Sequence, residues 1–183
     1  MEFPVHDLDT APDAAKETLA DARKAYGFLP NLLAVMAEAP ALLKSYRAVA
    51  DLFDETSFSP SERQVVLLTT SYENDCEYCV AVHSVLAGMQ KVPDDVVRAI
   101  RQGQPIANRK LEALRRFTSA VVTSRGRPAA ADTTAFLDAG YARSQLLEVV
   151  LGVGLKTLSN YTTHLADTPL DRAFAGAAWA KAA

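Results

Sequence analysis

The sequence predicts an all-α protein, a compact bundle of about nine or ten helices forming one domain over residues 1–183. Alanine, at 32 residues, outnumbers the 8 glycines and 9 prolines combined, so helix formers dominate over chain breakers. Apolar residues recur at spacings of three and four, in segments that begin or end at glycine or proline. No alternating apolar–polar run is followed by a hairpin turn, so no sheet is expected.

Taken in order, Thr10 is expected to cap a helix that runs to about Tyr26 and stops at a left-handed Gly27. A short helix follows Pro30 and carries Leu32, Leu33, Val35 and Met36. Pro40 separates it from another through Leu42, Leu43, Tyr46, Val49 and Phe53. Ser59-Pro60-Ser61-Glu62 has the form of a capping box with proline in the first turn, and opens a helix through Val65–Leu68 toward Tyr72. The next helix starts near Asn74-Asp75, with Asp75 as the expected cap, and continues to about Gln90. Pro93–Ile100, Arg109–Ser124 and roughly Asp132–Ala139 are closed by Gly103, Gly126 and Gly140. The longest helix runs from Ser144 to about Ala166. Its Gly152 and Gly154 suit close helix packing better than phosphate binding, since no strand precedes them. Thr168-Pro169-Leu170-Asp171 supplies a cap, a first-turn proline and an acidic third position for a final helix.

Composition excludes several classes of function. The chain is 49% hydrophobic and 22% charged, which excludes disordered and low-complexity classes. A net charge of -3, without a basic stripe, argues against nucleic-acid binding, and Arg115-Arg116 reads as a solvated helix face. Met1–Thr10 holds Glu2, Asp7 and Asp9 and lacks the pattern of a signal peptide. The most apolar stretch, Leu146–Leu155, is too short to span a bilayer and includes Glu148. A cytoplasmic location without membrane contact is therefore expected. There, the two cysteines, Cys76 and Cys79, would be reduced and available for chemistry. A domain of this size buries roughly 70% of its unfolded surface and needs no disulfide or metal for stability.

At about 100° per residue, Cys79 and His83 fall within about 60° of Cys76 around one helix. One helix face near its amino terminus thus presents two thiols and an imidazole. Such a terminus favours a thiolate, the nucleophilic form of cysteine. A thiolate that attacks a peroxide becomes a sulfenic acid, and a neighbouring thiol condenses with it to a disulfide. An outside thiol then restores the pair, so the cycle needs no bound cofactor.

Ser59-Pro60-Ser61-Glu62-Arg63, the aliphatic run, and Cys76-Glu77-Tyr78-Cys79-Val80-Ala81-Val82-His83 together resemble the alkylhydroperoxidase D and carboxymuconolactone decarboxylase superfamily. The resemblance is carried by residues 59–90. It implies an all-α fold, assembly as a homotrimer or homohexamer, and reduction of organic hydroperoxides or hydrogen peroxide with an external dithiol or protein reductant. It further implies that Cys79 is the peroxidatic cysteine, Cys76 its partner and His83 the relay histidine. Decarboxylase members typically lack the cysteine pair, so its presence favours the peroxidase-like branch.

Two positions depart from that pattern. The relay glutamate expected twelve residues before the first cysteine is Gln64, which cannot ionise. Glu62 lies about 200° away on the same helix, and a capping box accounts for it as well as catalysis does. Tyr78 stands between the cysteines where the best-known members have histidine.

Asn160, Tyr161 and His164 form a second polar group late in the longest helix, and Tyr161 or His164 is expected to reach the cysteine pocket. If His164 did, it would complete a Cys2His2 set with Cys76, Cys79 and His83, but no metal is expected in a chain that folds without one. The amino-terminal third, whose only His or Cys is His6, is expected to pack or to make oligomer contacts. A redox sensor or metal-binding module without turnover, and a decarboxylase, are the alternatives to a peroxidase. A thioredoxin fold is disfavoured because no βαβ pattern surrounds the cysteines.

Overall fold

A computed structural model describes residues 2–181, and among these the secondary structure is entirely helical. Nine α-helices follow in order: α1 Asp13–Tyr26, α2 Asn31–Met36, α3 Pro40–Asp54, α4 Pro60–Glu73, α5 Glu77–Met89, α6 Asp94–Arg101, α7 Arg109–Thr123, α8 Ala130–Asp138 and α9 Arg143–Ala166. A 3₁₀ helix at Arg172–Ala177 is the last helical element among the described residues.

Helix α4 lies at the centre, packed against α5, α6, α7 and α9. Its run from Gln64 to Ser71 is buried on every side, as expected of a helix apolar for most of its circumference. Two apolar clusters flank it. The larger joins Phe53, Val66, Leu114, Phe117, Phe136 and Val149. The smaller unites the amino-terminal Ala15, Leu19, Leu33, Met36 and Leu43 with Cys76, Tyr78 and Cys79. The amino-terminal third therefore packs directly over the cysteine pair.

The glycine stops at positions 27, 103, 126 and 140 all have positive φ, as the sequence predicts. The capping box at the start of α4 is present in both halves: Ser59 N–H donates to Glu62 at 2.9 Å, and Glu62 N–H donates to Ser59 Oγ at 3.3 Å. Three expected caps differ. Thr10 does not open α1, because its N–H and hydroxyl both donate to Asp7 in a preceding turn, so the helix starts after Pro12. Asp75 adopts a left-handed conformation, φ 54°, and Cys76 is itself the cap of α5. Thr168 caps nothing and its buried hydroxyl has no hydrogen-bond partner. The expected last helix is reduced to the 3₁₀ turn because the Asp171 carboxylate is engaged elsewhere, by Asn31 N–H and the Tyr78 hydroxyl.

Gly152 marks the crossing of α9 over α3 and α4. A Cβ at this position would lie 2.6 Å from Val66 Cγ1 and 2.7 Å from Phe53 Cε2, both in fully buried side chains. Gly152→Ala is therefore expected to destabilise the fold by about 1–3 kcal/mol through overpacking. Gly154 is exposed with open space around it, so Gly154→Ala, which is expected to raise stability by up to about 1 kcal/mol through helix propensity, serves as the control. Equal denaturation midpoints for the two variants would contradict the close crossing.

Candidate active site

Cys76 and Cys79 are fully buried at the start of α5. The chain reverses at Asn74-Asp75, and Cys76 N–H donates to Ser71 O at 2.9 Å, which fixes the entry into the helix. As the helix cap, Cys76 turns its Sγ inward to accept from Cys79 N–H at 3.4 Å. The same sulfur lies 3.1 Å from Thr163 Oγ1 of α9, and Cys79 Sγ lies 3.8 Å from Ser159 Oγ.

The two thiols are not equivalent. A hydrogen bond to Cys79, reinforced by burial, pushes the Cys76 thiol up, so it keeps its proton. Burial alone would also raise Cys79. That effect is outweighed by the hydrogen bond from Cys76, the charge of Lys156 and bonds from Ser159 and Asn160, which together hold Cys79 below the ordinary thiol range. One cysteine is thus poised as a thiolate and the other as the proton-bearing partner.

His83 stands one turn after Cys79. Its Nδ1 lies 3.1 Å from Gln64 Oε1 and its Nε2 3.0 Å from Lys156 Nζ. Burial, then the Lys156 charge, drives its pKa well below the usual value, so the ring is neutral. Gln64 Nε2 donates in turn to Gln90 Oε1 at 3.2 Å. His83, Gln64 and Gln90 line a cavity of about 250 Å3 whose other walls include Tyr46, Phe53, Tyr78 and Leu155.

Lys156 is the participant the sequence reading missed. It is 1% exposed in the middle of α9. Its signal lies in the register of that helix: Val149, Gly152, Lys156, Ser159, Asn160 and Thr163 form the buried stripe, and one of them is a lysine. The polar end of α9 does face the cysteines, but through Ser159, Asn160 and Thr163. Tyr161 and His164 are exposed, and His164 lines a different, open hollow of about 340 Å3. The expectation that Tyr161 or His164 reaches the pair is corrected by one step around the helix. For the same reason the Cys2His2 set is not assembled. Among the described residues no cluster of three or more His, Cys, Asp or Glu side chains is placed to hold a metal.

Glu62 and Tyr78 hold structural positions. Burial would raise the Glu62 carboxyl, but bonds from Ser59 and the Lys110 charge lower it, and Lys110 Nζ lies 3.3 Å away. Its carboxylate thus serves the capping box and that ion pair. The Tyr78 hydroxyl donates to Asp171 and accepts from Leu32 N–H at 3.2 Å, tying the helix of the cysteines to α2 and to the carboxy-terminal turn. Burial, then Asp171, raises its pKa, so it stays a neutral donor.

Residues 37–120 match the model of the carboxymuconolactone decarboxylase family. No curated protein matches in sequence. Among solved structures, an uncharacterized peroxidase-related protein with an alkylhydroperoxidase AhpD core, from Ralstonia eutropha JMP134, superposes with a TM-score of 0.82 at 20% identity, covering 94% of this chain and 93% of that one. A peroxidase-related protein from Silicibacter sp. TM1040 gives 0.80 at 16% identity, over 96% and 93% of the two chains. The debrominase Bmp8, as a cysteine-to-alanine variant in complex with 2,3,4-tribromopyrrole, gives 0.79 at 17% identity, over 97% and 95%. These likenesses span nearly the whole chain and show that it has the same all-α fold as the AhpD-core proteins, while its central stretch, residues 37–120, is similar to the carboxymuconolactone decarboxylase family.

Proposed function

We propose that the protein is a thiol-dependent peroxidase that works through a Cys76–Cys79 redox pair. The carrying observation is the geometry of two buried thiols at the start of α5, Cys76 Sγ accepting from Cys79 N–H at 3.4 Å and the two sulfurs facing the hydroxyls of Thr163 and Ser159 on α9. The Cys79 thiolate attacks a peroxide oxygen, the O–O bond breaks, and Cys79 becomes a sulfenic acid while the departing alkoxide takes a proton to become an alcohol. Lys156, hydrogen-bonded to His83 at the cavity wall, is a source for that proton. The Cys76 sulfur then attacks Cys79 Sγ. The S–S bond forms, the S–O bond breaks, and hydroxide leaves with the thiol proton as water. An external dithiol or protein reductant returns two electrons, and no bound cofactor is required.

The cavity beside His83 is walled mainly by apolar and aromatic side chains, which supports an organic hydroperoxide as substrate. Cumene hydroperoxide is expected to exceed hydrogen peroxide in kcat/KM by about ten-fold or more with dithiothreitol as reductant. Equal efficiencies would contradict the cavity's role. Leu147, Val150, Tyr161 and Leu165, exposed along α9, support the expected homo-oligomer.

Reductive dehalogenation is a second reading, favoured by the aromatic walls Tyr26, Tyr46, Phe53 and Phe174 and by the shared fold with Bmp8. It uses the same dithiol-to-disulfide change. Bromide release from 2,3,4-tribromopyrrole with dithiothreitol would support it, and no release under conditions of rapid hydroperoxide consumption would dismiss it. A decarboxylase is less well supported, because no Lys or Arg is among the residues lining the cavity to meet a lactone carboxylate.

A further inference from the structure

We infer that Lys156, and not His83, is the positive charge that makes Cys79 a nucleophile, and that the neutral His83–Gln64–Gln90 chain positions its ammonium. This rests on reading Cys79 as the reactive thiol.

The direction of hydrogen bonding assigns the charges. With Gln64 Nε2 donating to Gln90, Gln64 Oε1 is left facing His83 Nδ1, and an amide oxygen only accepts. Nδ1 therefore carries the ring hydrogen, and Nε2 is the lone pair that accepts from Lys156 at 3.0 Å. A protonated His83 would instead present an N–H to an ammonium. The imidazole thus holds the lysine in place but supplies no charge of its own.

A fully buried ammonium is costly unless an anion compensates it. The ionisable groups that act most strongly on Lys156 are Cys79 and Cys76 of α5 and Tyr46 of α3, with neutral His83 as its hydrogen-bond partner. Burial raises Tyr46 and keeps it a phenol, and Cys76 donates its proton toward Cys79. Cys79 is left as the group that carries the compensating charge, and its Sγ lies 3.8 Å from the Oγ of Ser159, which donates to Lys156 O one turn back along α9. The nucleophile and its counter-ion thus come from two different helices, α5 and α9, and packing of α9 against the start of α5 sets their separation.

The test is thiolate absorbance at 240 nm against pH in a Cys76→Ser background, which leaves Cys79 as the single thiol. Lys156→Met is expected to raise the Cys79 midpoint by about 1–3 pH units. Lys156→Arg, which keeps the charge, is expected to hold it low. His83→Gln, which keeps an acceptor for Lys156 but cannot ionise, is expected to leave it within about half a unit. An unmoved midpoint in Lys156→Met overturns the inference, as does a rise in His83→Gln as large as that expected for Lys156→Met. If Lys156→Met fails to give a native circular dichroism spectrum, the His83→Gln and Lys156→Arg midpoints decide. A low Cys79 midpoint without hydroperoxide turnover would refute the peroxidase reading and leave the role of Lys156 standing. Turnover with a midpoint insensitive to Lys156 would do the reverse.

Discussion

Replacing Cys79 with serine is expected to reduce steady-state hydroperoxide consumption by roughly 10³-fold or more, because no other thiol in the chain is poised as a thiolate. Cys76→Ser should behave differently. Its Cys79 still attacks, so one equivalent of hydroperoxide is consumed rapidly, and turnover then stalls at a sulfenic acid that a dimedone adduct on Cys79 reveals. Because Cys79 is held below the ordinary thiol range, the first-step rate in wild-type protein should be level through neutral pH and fall only on acidification, as the thiolate is protonated. A rate that instead climbs through the range of an unperturbed thiol would contradict the assignment, as would a Cys76→Ser variant that reacts no faster than Cys79→Ser.

Asp171→Ala is expected to lower stability by about 1–3 kcal/mol, since it strips the buried Tyr78 hydroxyl and the half-buried Asn31 N–H of their acceptor. Asp171 is itself buried in the turn before the 3₁₀ helix, and its two oxygens join α2, α5 and the carboxy-terminal segment. Asp171→Asn keeps one acceptor and should lose distinctly less. Urea denaturation would measure both, and a loss below about 0.5 kcal/mol for alanine would show that these bonds are replaced without cost. Tyr78 lies between the two cysteines in the chain, so Asp171→Ala should also loosen the start of α5.

The helices were legible in the sequence because their signals are local: proline at the first turn, glycine just past the last, and a capping box at Ser59–Glu62. Thr10, Asp75 and Thr168 misled because a side chain suited to capping is equally suited to a turn, and only tertiary partners decide between them. The cysteine pair and His83 were legible because they share one helix. Lys156 was not, because its meaning depends on which side of α9 faces α5, and a lysine within an apolar helix passes for an interruption until the buried stripe is known. Gln64 reads from sequence as a gap in a proton relay. In the structure it is the neutral acceptor that orients His83 toward a cation on the opposite side of the ring.

In this mechanism Cys76 and Cys79 together transfer two electrons to a hydroperoxide. Mass spectrometry of the reduced wild-type protein after one equivalent of cumene hydroperoxide tests it most directly. One Cys76–Cys79 disulfide is expected to form for each molecule of cumyl alcohol produced, reversed by dithiothreitol and followed by further turnover. Alcohol produced while both thiols remain reduced, or a disulfide that forms once and supports no turnover, would contradict it.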